Sequence, residues 1–259
     1  MRIPRFILVV NAALALVLVA SPSRVSAQLL QSPAAGREGL DATWSVSCLD
    51  ANGALIGPRS VRGPILVSKA GDHAFVEVDS LVLKDEDTAF PNCRNTTRVY
   101  VRSKTSPSAE LILFLPPMKY VLGNGVELAD WSPDGRYLLM TEARWTYYSD
   151  SFGFHVYLYD FEQKILISME HKTMFDRRLI RDTNIAVRAI SFHTDGISPV
   201  VIAVDMDVVE ASSEVSSSEP DLWVMKWQQN VLERLPSDYK VKWSGKILEN
   251  KKPDATRKP

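Results

Sequence analysis

Apolar and polar side chains alternate along Phe154-His155-Val156-Tyr157-Leu158-Tyr159-Asp160 with the two-residue period of a sheet, which puts Phe154, Val156 and Leu158 on one face. Glu162-Gln163-Lys164 then predicts a hairpin turn, and Ile165 to Met169 a partner strand. Upstream, Pro133-Asp134-Gly135 suits a tight turn, because proline fixes φ and glycine tolerates the closing position; Arg136 to Thr141 beyond it predicts a strand. With Val126 to Trp131 leading in, the segment is a unit of four strands, interrupted between the second and third by an insertion, Trp145 to Gly153.

Two further units follow the same order. The first leads from Gly63 to Val67 through Ser68-Lys69-Ala70-Gly71 into a strand reaching Val78, and continues with Thr97 to Arg102, a turn around Pro107, and Glu110 to Leu115. The third leads from Ala186 to Phe192 through His193-Thr194-Asp195-Gly196 into a strand ending at Val204, then Asp221 to Trp227, a turn at Gln229-Asn230, and Val231 to Leu235. The turn glycines, Gly71, Gly135 and Gly196, recur about 60 residues apart, a longer period than the ~40–45 residues of a compact four-stranded repeat, so each unit carries an insertion. The expected fold class is all-β, an array of like-built antiparallel units.

The stretch Trp131-Ser132-Pro133-Asp134-Gly135-Arg136-Tyr137-Leu138 resembles the Trp-Ser-Pro-Asp-Gly-(Arg/Lys)-x-Leu signature of TolB-like, WD40-like propeller repeats. The resemblance covers about Gly63 to Pro236 and is specific in the middle unit. Ala70 stands in place of the turn Asp in the first unit, and His193-Thr194 in place of Ser-Pro in the third. It implies blades of short antiparallel strands and a noncatalytic binding or scaffold role in the cell envelope. Contact residues do not carry over with it, because the matching positions are turn and core positions. Three blades fall short of the ~4–8 of a closed propeller, so the expectation is a small or incomplete β-propeller-like array. Thr43 to Leu49 and Tyr239 to Trp243 also read as strands; they either close a fourth, composite blade or leave an open, sandwich-like stack.

The N-terminus carries Arg2 and Arg5, an apolar run from Phe6 to Ala20 broken by Asn11, and Val25-Ser26-Ala27 before Gln28, the three parts of a secretory signal with cleavage expected after Ala27. An uncleaved anchor would need about 20 apolar residues, more than this run supplies. The expected organisation is a signal peptide over 1–27, a flexible segment over 28–42, the β domain over 43–245 and a basic, disordered tail over 246–259. The mature protein is thereby expected to be exported, periplasmic or extracellular, with no membrane span after cleavage. The two cysteines, Cys48 and Cys93, are expected to pair in an oxidising compartment, the alternative being two buried thiols. Asn95-Thr96-Thr97 matches a glycosylation sequon that matters only in a glycosylating host. A net charge of −1, together with export, argues against a nucleic-acid partner.

All three insertions fall between second and third strands, which in a propeller brings them to one end of the disc. They offer Asp85, Glu86, Asp87 and Phe90, then Trp145, Tyr147, Tyr148, Asp150 and Phe152, then Asp207, Glu210, Glu214 and Glu219. Loops on a rigid scaffold commonly bear function, and these acidic and aromatic groups suit a cationic partner, a peptide, or a sugar that stacks on rings. The competing reading is a set of solvated acidic loops, with Ser212 to Glu219 as a tether. Asp205-Met206-Asp207 with Glu210 lacks the glycine-containing loop of a calcium motif and reads better as a solvated strand end.

Other chemistry is thin. His73, His155, His171 and His193 include no pair at helical zinc spacing, and His73 and His193 are placed in turns. No Gly-x-Ser-x-Gly elbow, phosphate-cradling glycine loop or Cys-x-x-Cys occurs. No cofactor or metal is expected. The function expected is an exported, noncatalytic module that engages a protein or an envelope polymer through its insertion loops. The alternative is a hydrolase or lyase with a metal or carboxylate site on the same face, dependent on Asp205, Asp207 or Glu210.

Overall fold

Three turns, each closed by a glycine in the left-handed region, organise the chain into three antiparallel sheets. The computed structural model describes residues 59–83, 92–117, 122–146, 152–169, 174, 185–205 and 222–248. Sheet 1 contains β1 (Arg59–Arg62), β2 (Ile65–Val67), β3 (His73–Leu83), β4 (Asn92–Arg102) and β5 (Glu110–Leu115). Sheet 2 is the meander β6 (Leu122–Trp131), β7 (Tyr137–Thr146), β8 (Phe152–Asp160) and β9 (Ile165–Met169). Sheet 3 repeats it with β10 (Ile185–Phe192), β11 (Pro199–Asp205), β12 (Leu222–Lys226) and β13 (Val231–Arg234). The last strand among the described residues, β14 (Lys246–Leu248), returns to pair with β2.

The turns share one construction. The N–H groups of Gly71, Gly135 and Gly196 donate to the carbonyls of Ser68, Ser132 and His193, at 3.0, 2.9 and 2.8 Å, with φ of 94°, 78° and 78°. Side chains finish each turn. Asp134 Oδ1 accepts from the Arg136 N–H at 3.1 Å, and Asp195 Oδ1 from the N–H groups of Ile197 and Ser198 at 3.1 and 2.9 Å. In the first unit, where alanine occupies that position, Ser68 Oγ accepts from the Asp72 N–H at 3.0 Å, and the Asp72 carboxylate instead accepts from the Lys104 N–H of the turn after β4 at 2.9 Å. The turns also stack: a Cβ on Gly135 would lie 3.8 Å from Ala70 Cβ, and one on Gly196 3.6 Å from Pro133 Cδ.

Sheet 2 lies between the other two, and its residues divide by parity. Val126, Leu128, Trp131, Leu138 and Met140 join Leu66, Ala74, Val76, Val78, Val99 and Val101 of sheet 1 in one core. Leu139, Val156, Leu158 and Met169 join Val187, Ala189, Phe192, Val201, Met225 and Leu232 of sheet 3 in a second. A sheet covered on both faces needs apolar residues at successive positions, which is why Tyr137-Leu138-Leu139-Met140 forms an unbroken buried run. Each fully buried side chain of this size contributes roughly 1.5–3 kcal/mol over an exposed one. Trp131, wholly buried, also donates from Nε1 to the Leu66 carbonyl at 3.2 Å, fixing sheet 2 against sheet 1.

Several elements differ from the sequence reading. Tyr239 to Trp243 forms no strand, and the strand that returns to sheet 1 is Lys246–Leu248, inside the segment assigned to the tail. Alternation predicts a strand because Tyr239, Val241 and Trp243 turn toward the molecule, where they are half-buried outside any strand. Gly245 explains why the chain closes after them. A Cβ there would come within 3.0 Å of Leu66 Cδ1, so only glycine lets the backbone approach closely enough for the next residues to pair. His73 opens β3 rather than sitting in the turn, its Nδ1 2.6 Å from Arg102 Nη2. Burial and then Arg102 push its pKa down. Residues 1–27, 28–42 and 249–259 and Thr43 to Leu49 lie outside the described residues.

Candidate partner-binding end

The second strand of every unit, β3, β7 and β11, starts at the stacked turns and runs away from them, so the three hairpin mouths collect at the opposite end. These mouths flank residues 84–91, 147–151 and 206–221. Leu83 faces Asn92 across the first, and Trp145 faces Phe152 across the second. In the third, Ile202 faces Leu222. Of the residues singled out in the sequence, Trp145 and Phe152 are thus brought opposite each other in register. Asp85, Glu86, Asp87, Phe90, Tyr147, Tyr148, Asp150, Asp207, Glu210, Glu214 and Glu219 lie outside the described residues, as does Cys48. Cys93 falls on β4 opposite Val82, at the same end.

Below the first two mouths the core between sheets 1 and 2 changes character. From the turns to mid-sheet it is chiefly apolar, but at this end it is built from Ser80, Asn95, Thr97, Asn124 and Glu142, each no more than 1 % exposed. Buried polar groups cost free energy unless they are hydrogen-bonded, and this layer is extensively paired. Thr97 Oγ1 donates to the Asn124 carbonyl at 3.1 Å. Asn124 Nδ2 donates to the carbonyls of Asn95 and Pro116, both at 3.1 Å. Asn124 Oδ1 is buried and has no partner among the described residues.

Glu142 is the charged centre of the layer. Its carboxylate accepts from Arg144 Nε and, at 2.8 Å, from the Tyr157 hydroxyl. Burial pushes the Tyr157 phenol up to about 12, with the hydrogen bond to Glu142 adding to the effect, so it stays a donor throughout the physiological range. A second buried ion pair joins sheets 2 and 3: Arg188 grips Glu127 with two bonds, Nε to Oε2 at 2.7 Å and Nη2 to Oε1 at 2.5 Å. Bidentate geometry of this kind fixes orientation as well as charge.

Apart from Asn95 and Thr97, singled out only as parts of a sequon and both fully buried here, none of these groups featured among the sequence candidates. The available signal was parity, since Glu142 and Arg144 continue the core-facing series Leu138, Met140 on one strand. The far face of sheet 1 is different again: Phe75 stacks on Tyr100 at 5.2 Å, with Arg62 over the Phe75 ring at 4.7 Å. Among the described residues no group of three or more His, Cys, Asp or Glu side chains is placed to hold a metal ion. No helix among them is long and apolar enough to cross a membrane.

No model of a known protein family matches the chain, and no curated protein matches it.

Proposed function

We propose that this protein is an exported binding or scaffold module without enzymatic activity, a small or incomplete propeller-like array of TolB-like blades that engages a protein or an envelope polymer through the loops joining the second and third strands of each blade. The observation that carries the reading is the gathering of all three hairpin mouths at the end opposite the stacked turns. Loops held by a rigid scaffold present a surface whose ordering cost on binding is reduced in advance. The hydrogen bonds from Thr97 to the Asn124 carbonyl and from Asn124 to the Asn95 carbonyl support that scaffold, because directional bonds between β4 and β6 fix the relative positions of sheets 1 and 2 more sharply than apolar packing does.

The aromatic content of the middle hairpin directs the test. The purified chain is coupled to a support and exposed to an envelope extract, alongside a variant with short turns replacing 84–91, 147–151 and 206–221 and a second with Asp134→Ala at the opposite end. Partner capture is expected to survive the Asp134 change and to disappear with the three replacements. Capture that persists without the loops would refute the assignment of this end.

A further inference from the structure

The sheet edges of this molecule are unequally guarded. Exposed edges invite pairing with other chains, and proteins blunt them with charges, prolines or short strands. β13 is four residues long and ends in the exposed Glu233 and Arg234; β14 has three residues and begins with Lys246. β9, the edge of sheet 2, carries no charge and exposes Ile165 and Leu166, but these are successive positions on opposite faces of a five-residue strand and form no common border. β5 is the edge of sheet 1 among the described residues, runs for six residues and carries one charge, at its first position. Leu111 and Phe114 on it are 49 % and 48 % exposed.

A bulge makes these two side chains act together. Val99 pairs with Leu113 and Tyr100 with Leu111, so Ile112 is the extra residue. The bulge puts Leu111 in the cross-strand row of Phe75 and Tyr100, and Phe114 in the row of Glu77 and Arg98, on the same solvent-facing side. Phe114 also lies beneath the Arg98 guanidinium at 5.7 Å. Residues 111 and 114 would point to opposite sides of a regular strand. Here they form one apolar border along an unguarded edge.

We propose that β5 is the seam of a symmetric dimer of this chain, formed by antiparallel pairing of β5 with its counterpart about a two-fold axis between Ile112 and Leu113. The segment Glu110-Leu111-Ile112-Leu113-Phe114-Leu115 is self-complementary in that register alone. Leu111 meets the partner's Phe114 twice, once on each side of the axis. Glu110 faces the partner's Leu115 and not the partner's Glu110, so no like charges oppose. A slip of two residues in either direction leaves pairs unmade at the ends or draws Pro116, which has no N–H, into the ladder. The paired edges would join two copies of sheet 1 into one continuous sheet. Such a seam is smaller than the ~1,200–2,000 Å² of a standard stable interface, so dissociation in the range of about 10–100 µM is expected.

Sedimentation of the purified chain from about 1 to 300 µM brackets that range and is expected to show reversible dimers. Leu111→Lys and Phe114→Lys, both at exposed positions, should each weaken association at least about tenfold while leaving the circular dichroism spectrum and the melting midpoint unchanged at about 1 µM, where the parent is monomeric. Register is read by oxidation: the double variant Leu111→Cys/Phe114→Cys should yield covalent dimers on a non-reducing gel, whereas Phe114→Cys alone should not exceed the parent chain. A chain monomeric throughout, association indifferent to both lysines, or efficient linkage through Phe114→Cys alone would each overturn the proposal. Loss of loop-dependent capture with dimerisation intact would instead count only against the binding role.

Discussion

Asp160, 2 % exposed at the end of β8, is ringed by donors. Arg136 reaches it through Nε at 3.1 Å and Nη2 at 2.7 Å, and the N–H groups of Glu162 and Gln163 each donate at 3.0 Å. Burial pushes its carboxyl up, but the guanidinium and the two N–H groups outweigh burial and hold it below the ordinary aspartate range. Because the folded-state pKa is the depressed one, the resulting stabilisation is fully present above the unfolded value of about 3.9 and is lost as the pH falls through the folded value. Asp79 is depressed by its hydrogen bonds from Ser60 and Arg98, and Asp195 by N–H donors that overcome its burial, so acid should act on all three sheets. Asp160→Asn should therefore cost about 1–3 kcal/mol at neutral pH and flatten the loss of stability between about pH 5 and 2, as measured by urea unfolding across that range. An acid limb as steep as the parent's would exclude Asp160 as a contributor. Glu142 shows the limit of residue-level reading in the other direction. Its parity with Leu138 and Met140 marks it as inward-facing in the sequence, but the Tyr157 hydroxyl and the Asn124 amide that share its layer are set there by strand register and sheet packing, which one strand's pattern does not specify.

At the scale of the element, the turns govern the fold, and glycine governs the turns. A Cβ on Gly135 meets only ordinary contacts, at 3.8 Å from Ala70 and 3.9 Å from Ser68, so the obstacle to other residues is its φ of 78° rather than space. Gly135→Ala should destabilise by roughly 1–2 kcal/mol, and Gly135→Asn by less, because asparagine tolerates the left-handed region. Matched melting curves of the two variants check this, and equal losses would mean that crowding and not conformation sets the cost. The same turn chemistry made the strand order legible: Asp-Gly pairs at Asp134-Gly135 and Asp195-Gly196, each followed by alternating or unbroken apolar residues, mark where β7 and β11 begin. Strand lengths were less legible. β4 starts at Asn92, well before the expected Thr97, because Asn95 and Thr96 are buried polar residues that interrupt the apolar alternation while still pairing with Ser80 and Asp79.

For the whole molecule, the segment after β13 links all three sheets. Tyr239 stacks on His193 of sheet 3 with ring centroids 6.0 Å apart. Ser244 and Gly245 then donate their N–H groups to the buried Asp130 carboxylate of sheet 2, at 3.0–3.2 and 2.8 Å. Three residues later the chain has paired with β2 of sheet 1. No local pattern announces this route, since a three-residue strand has too little alternation to be read and Asp130 looks like one more turn-proximal aspartate. Its consequence is cooperative: sheets 1 and 3 form separate cores with sheet 2, and the strap ties the two cores together by engaging all three sheets. A chain shortened to end at Leu248 keeps every one of these contacts, whereas one ending at Gly245 loses β14 and the packing of Ile247 on the first core. The second truncation should cost about 1–3 kcal/mol more than the first and broaden the urea transition, since uncoupled sheets unfold over a wider range of denaturant. Gly245→Val, which drives a side chain into Leu66, Asp130 and Trp131, should reproduce the loss in the full-length chain. Identical unfolding curves for the two truncations would mean that the cores on either side of sheet 2 already unfold as one unit without the strap.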